Sequence, residues 1–246
     1  MLYEDRERAL SFGPVADAYE LGRPDYPAAA IDFVLGEECR RAIDLGAGTG
    51  KLTSQLIERG LDVVAVEPLH EMLRYLRQAL PGAGALCGTA EAMPVRDGWA
   101  DAVTAAQAFH WFDPKEVLPE IARVLRPGGV LGVLWNLRDD ERAPWVRELS
   151  AILGREGFSD AWQRDLRAYG FGPAQHRRVA HEQVLDRPAL IALSLSRSYV
   201  ANRPPYERAE ILREVERLWD RHPDLAGRER AVLPYLTHAF RARRTV

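Results

Sequence analysis

A doubly wound α/β fold is predicted by three features of the chain. From about residue 41, short apolar runs alternate with amphipathic stretches; a glycine-rich turn joins the first run to a helix; and two more strand-like segments lie toward the C-terminus. Together they predict a seven-stranded, mostly parallel sheet with helices on both faces and a helical cap inserted between the last two strands. The 246 residues read as a single domain, with an N-terminal flap over 1–30, a core over 31–137, and the remaining strands over 138–246 with the cap at about 187–222.

The N-terminal stretch is broken by Gly13-Pro14, Arg23-Pro24 and Tyr26-Pro27, which excludes a long helix and leaves a strap ending in a helix from about Ala28. Buried strands are read at Ala42–Leu45, Val63–Val66, Ala85–Cys87, Ala102–Ala105 and Val130–Leu134. Between the last two, Val117, Leu118, Ile121, Val124 and Leu125 recur at three-and-four spacing and so share one helix face, closed by Pro127-Gly128-Gly129. Amphipathic helices follow at 143–154 and 206–221, a strand at Gln175–Val184, and a last strand at Tyr235–Arg243 with Pro234 at its start, where a missing N–H is tolerated.

Composition bounds the function. With 33 Lys+Arg against 36 Asp+Glu and 47% hydrophobic residues, the chain has the apolar content of a folded protein, not of a disordered one. The first 150 residues are net acidic and the rest net basic, yet pI ≈ 6.1 argues against a nucleic-acid surface. Cys39 and Cys87 form neither a CxxC nor a zinc-like cluster, so no metal is expected. No apolar run reaches membrane-spanning length, and Met1–Arg8 is too acidic for a signal peptide, so the cytoplasm is the expected compartment.

Ile43-Asp44-Leu45-Gly46-Ala47-Gly48-Thr49-Gly50 runs a strand into three alternate glycines and then a helix, so that backbone N–H groups can approach a ligand closely. A dinucleotide fingerprint needs its third glycine where Lys51 stands, and a P-loop needs a glycine at Leu45 and a hydroxyl at Leu52. Glu67, followed by Pro68, ends the second strand, and a carboxylate there accepts hydrogen bonds from both hydroxyls of an adenosine ribose. Met72 serves either the core or an adenine. After the fourth strand, Gln107-Ala108-Phe109-His110-Trp111-Phe112 sets a histidine among aromatic rings at the carboxyl edge of the sheet, either as a packed residue or as a base for a substrate proton.

The G-x-G-x-G turn with its preceding acid resembles the first motif of the class I S-adenosylmethionine (SAM)-dependent methyltransferases, which have a Rossmann-like fold. Gly88-Thr89-Ala90-Glu91 after the third strand and Leu125-Arg126-Pro127-Gly128-Gly129 before the fifth extend the resemblance over about 41–136. It implies SAM as cofactor, S-adenosylhomocysteine as product, and a cofactor site of Asp44, Gly46, Ala47, Gly48, Gly50, Glu67, Pro68, Met72, Ala90, Glu91, Gln107 and His110. Tyr19–Pro27 is similar to the flap of small-molecule members such as the trans-aconitate-type methyltransferases, which would bring Tyr19 and Arg23 to the methionine moiety. Ser194, Ser196, Ser198 and Tyr199 of the cap either line an acceptor pocket or serve helix-cap and packing roles.

The implied reaction is methyl transfer by in-line displacement, without a metal, to a small acceptor. An oxygen acceptor such as a carboxylate is favoured; it is already ionised, whereas a phenol, alcohol or ammonium would need His110 as base. Arginines toward the C-terminus make an anionic acceptor admissible. The alternatives are a SAM-binding regulator or partner without turnover, a tRNA or protein methyltransferase, and a nicotinamide-dependent reductase.

Overall fold

The computed structural model describes residues 20–245. Its sheet is built from β1 (Arg41–Leu45), β2 (Asp62–Glu67), β3 (Gly84–Cys87), β4 (Ala100–Ala106), β5 (Leu125–Arg138), β6 (Gln175–Leu185) and β7 (Ala231–Arg243), in the order β3-β2-β1-β4-β5-β7-β6. Neighbours among β1 to β5 pair in parallel, and β7 lies antiparallel to both β5 and β6. The chain builds outward from β1 to β3 and then returns to place β4 on the other side of β1. A crevice opens at such a reversal, beyond the carboxyl ends of the strands, because the flanking loops diverge there.

β4 runs buried through Ala100–Ala105, which is why Ala102, Val103 and Ala105 follow one another without the alternation of a half-exposed strand. Helix α1 (Ala28–Leu35) ends at Gly36, whose φ of +75° suits a glycine, and buries Ala30, Ile31, Val34 and Leu35. It approaches β5 so closely that a β-carbon at Gly132 would stand 2.8 Å from the Val34 β-carbon. Helices α2 (Lys51–Glu58), α3 (His70–Ala79) and α4 (Pro114–Val124) are the crossovers between parallel strands. The α4 face buries Val117, Leu118, Ile121 and Val124, and Asp113 caps its N-terminus by accepting a hydrogen bond from Lys115 N at 2.9 Å.

α4 ends one residue earlier than the periodicity predicts, because Leu125 is already extended and pairs with Ala100. The register then shifts between Ala100 and Ala102, absorbing the Pro127-Gly128-Gly129 turn within β5. β7 likewise begins at Ala231 and not at Tyr235, so Pro234 lies inside the strand. Its carbonyl accepts from Asp139 N at 3.0 Å, just past the last β5 rung at Arg138–Tyr235, so the absent N–H falls at the end of that ladder.

After β5, α5 (Pro144–Leu153) and the cap helices α6 (Arg187–Leu195), α7 (Ser198–Ala201) and α8 (Pro205–Arg221) bury Trp145, Leu149, Leu190, Leu193, Val215 and Trp219 against Leu185, Leu233 and Tyr235 of the last two strands. The cap thus enters between β6 and β7 as predicted. A separate cluster unites Trp135 and Phe240 with Phe158 and Trp162; the Trp135 and Phe158 rings stack at 4.7 Å. Among the described residues, no helix is long and apolar enough to cross a membrane.

Candidate functional site

The turn after β1 is shaped by its glycines. Gly46, Gly48 and Gly50 have φ of +68°, +58° and +96°, in the region that a side chain disfavours. They do different work. A β-carbon at Gly46 would stand 2.7 Å from that of Ala108, and one at Gly50 would press on Leu76, whereas one at Gly48 would meet nothing within 4 Å. Gly46 and Gly50 therefore let the turn pack, and Gly48 leaves open space where a ligand can reach the backbone.

Glu67 is buried at the carboxyl end of β2, and its two oxygens accept from Gly48 N and Leu69 N, each at 2.9 Å. Burial pushes its carboxyl above the ordinary range, against the pull of the Leu69 and Gly48 donors. Two lone-pair positions remain for hydroxyl donors. Asp44 lies below the turn, fully buried, and accepts from Thr53 Oγ1 at 2.6 Å, tying β1 to α2; burial pushes it up to about 7.

A cavity of about 350 Å³ opens at the β1/β4 reversal. One half is lined by Gly46, Gly48, Glu67, Pro68, Leu69 and Met72, and the mouth by Gln107, His110, Trp111 and Phe112. Gln107 has a φ of +55°, unusual for its type, and its Nε2 donates to Asn136 O at 2.7 Å. His110 is exposed with its ring 4.6 Å from that of Trp111. Of the residues singled out in the sequence, Arg23, Gly46, Gly48, Glu67, Pro68, Met72, Gln107, His110, Ser198 and Tyr199 meet at this cavity, whereas Ser194 and Ser196 are buried off its wall. Asp44, Ala47 and Gly50 are off its wall, as are Ala90, which is buried in the core, and Glu91; Tyr19 lies outside the described residues.

The other half comes from distant parts of the chain: Arg23, then Trp135, Asn136 and Leu137 at the end of β5, Arg155 and Glu156, and Arg197, Ser198 and Tyr199 of the cap. Glu156 is its centre. Arg138 donates to it from N at 2.9 Å and from Nη1 at 3.3 Å, and Arg197 Nη1 pairs with Oε1. Burial pushes the Glu156 carboxyl up, but the Arg197 and Arg138 guanidiniums outweigh it and hold the group below the ordinary carboxylate range. Arg23 donates to Ser196 Oγ at 2.8 Å and Ser196 O at 2.9 Å. Residues 20–26 are strapped across the site by further bonds from Thr49 Oγ1 to Glu20 and from Asn136 Nδ2 to Asp25 O. Gly22 makes this possible, since a β-carbon there would stand 2.2 Å from Leu193 N.

Of this second half, Arg155, Glu156 and Arg197 carry no local motif, and sequence reasoning missed them. The one available signal was the excess of arginine in the C-terminal part, which has no position attached to it.

Comparison with known proteins identifies the family. A methyltransferase domain family matches residues 43–133. The chain is 51% identical over 237 residues to an uncharacterized methyltransferase of Mycobacterium tuberculosis, covering 96% of this chain and 97% of that one. It is 33% identical over 167 residues to a trans-aconitate 2-methyltransferase of Azoarcus sp., covering 61% and 64%. A solved structure from Anaeromyxobacter dehalogenans, 26% identical, superimposes with a TM-score of 0.64 over 91% of this chain and 98% of the other.

Proposed function

The chain belongs to the class I SAM-dependent methyltransferases, and from that premise we propose that it methylates a carboxylate oxygen of a small anionic acceptor. The observation that carries the proposal is the charge of the second half of the cavity, whose lining has three arginines, Arg23, Arg155 and Arg197, against one carboxylate, Glu156. The likeness to a trans-aconitate 2-methyltransferase, whose acceptor is by name a small carboxylate, supports it.

The residues present fit SAM: Gly48 leaves room at the backbone, and Glu67 has two acceptor positions for ribose hydroxyls. The cofactor supplies, when bound, a methyl carbon on a cationic sulfur. Around it, Pro68, Leu69 and Met72 offer apolar contact, and Trp111 and Phe112 keep water from the mouth. In this reading residues 31–137 hold the cofactor, and residues 138–246 with Arg23 hold the acceptor. Arg197 and Arg155 would orient the acceptor carboxylate, since guanidinium forks match its two oxygens. A carboxylate is ionised at neutral pH and accepts a methyl group without losing a proton, so no proton transfer is asked of His110. The reading places this chemistry in the cytoplasm.

The test is release of S-adenosylhomocysteine from SAM over a panel of mono-, di- and tricarboxylic acids, phenols and amines, with the product checked for a base-labile methyl ester. Turnover with a carboxylic acid and ester formation is the expected result. Turnover confined to phenols or amines would overturn the carboxylate reading.

A further inference from the structure

Strand β6 stands last in the sheet, and one of its edges has no strand beside it among the described residues. It spans 11 residues in unbroken register with β7, without a proline or a bulge, two of the devices that keep an edge from pairing. Exposed side chains dominate it, including Val184 at 62%.

Which backbone groups face the open edge follows from the ladder. Asp139 N donates to Pro234 O and Arg244 N to Gly129 O, so even-numbered β7 residues turn toward β5 and odd-numbered ones toward β6. The β6–β7 register then commits odd-numbered β6 residues to β7. The N–H and C=O groups of His176, Arg178, Ala180, Glu182 and Val184 point outward.

This outward row is self-complementary. An antiparallel copy related by a two-fold axis at Ala180 sets Ala180 opposite itself and Arg178 opposite Glu182 in both directions. It also covers Val184 with His176. Moving the register by one rung pair either way loses both Arg–Glu pairs, and moving it by two sets Arg178 against Arg178 or Glu182 against Glu182. Charge therefore selects one register. Arg142 Nη2 already lies 3.0 Å from Glu182, so the carboxylate would sit between two guanidiniums. We propose that β6 pairs with β6 of a second copy of this chain, giving a two-fold dimer with one continuous sheet.

Light scattering and sedimentation over a range of protein concentrations test this. The wild type is expected at twice the 27.7 kDa chain mass. Arg178→Glu and Glu182→Arg should each run as monomers, because each sets like charges opposite one another. An equimolar mixture of the two should recover the dimer, because both cross-strand pairs are then opposite in sign. Ala180→Pro should also give a monomer, since the N–H it removes points away from β7. Thermal stabilisation by S-adenosylhomocysteine in each variant shows that it is folded. A wild type that is monomeric at every concentration, a dimer indifferent to the single reversals, or a mixture that stays monomeric would each overturn the proposal.

Discussion

The two halves of the cavity are built on opposite principles. The half proposed for the cofactor is made within one βαβ stretch, from the glycine turn at 46–50 to Met72, and its shape is set by backbone conformation and one carboxylate, Glu67. The half proposed for the acceptor brings together residues 23, 135–137, 155–157 and 197–199 and is set by a buried ionic cluster around Glu156. The difference teaches where each half is vulnerable: the first to a change in local ligand contacts, the second to any loss of charge balance in the interior.

The largest effect should follow Glu156→Gln. Arg138 and Arg197 would keep their buried charges without the carboxylate, at about 3–5 kcal/mol. For a chain of this size that corresponds to a fall in Tm of roughly 6–20 °C by calorimetry. Because the folded-state pKa of Glu156 is depressed, its stabilisation is present above the ordinary carboxylate range and is lost as pH falls through the depressed value. The variant should lose that acid dependence while its folded fraction still binds SAM. Loss of SAM binding in the folded protein would show that the two halves are not separate.

Glu67→Ala should do the reverse. Hydrogen bonds to a charged group are worth about 1.5–3 kcal/mol, so SAM should bind roughly 10–100-fold more weakly by calorimetric titration while the fold persists. In the wild type, affinity should fall as pH drops through the raised pKa of Glu67, because a protonated carboxyl has one acceptor fewer. Unchanged affinity in the variant would remove Glu67 from the ribose role.

Asp44→Asn sharpens the contrast within the cofactor half, since Asp44 is beneath the turn and not on the cavity wall. With a folded pKa of about 7, Asp44 contributes stability that is full below the unfolded carboxylate value and lost as pH rises through 7. The variant should gain stability relative to wild type as pH rises from the ordinary carboxylate value to about 7, at up to about 1.4 kcal/mol per pH unit, and the gain should stay level above pH 7. Equal pH profiles of Tm would contradict the buried charge.

The smallest effect is expected from His110→Ala. With a carboxylate acceptor, kcat should stay within about tenfold, below the usual contribution of a general base. A drop of a hundredfold or more with a titrating limb would return His110 to the proton-transfer role and exclude an already ionised acceptor.

Legibility of the sequence followed the same division. Gly46, Gly48 and Glu67 were readable because one uninterrupted strand–turn–helix–strand stretch carries all three. The ends of α4 and β7 were misplaced by one and four residues. At Leu125 and Ala231 the deciding fact is a cross-strand partner, Ala100 in one case and Leu185 in the other, and no window of sequence contains it. Glu156 and Arg197 were invisible as a site for the same reason, since an arginine reads as solvated until the fold buries it against a particular carboxylate, and Arg155 joins the cavity wall only through the neighbouring fold.

Local order was therefore settled by the chain alone: which stretches are strands, that they alternate with helices, and that the first turn is open to a ligand. Periodicity and glycine conformation act over a few residues and leave a direct trace in the order of residues. The acceptor half, the strap of residues 20–26 and the open edge of β6 were decided only in three dimensions. Burial, charge pairing and strand neighbours depend on segments more than a hundred residues apart, such as Asp25 and Asn136 or Arg23 and Ser196, and the folded sheet is what makes them adjacent.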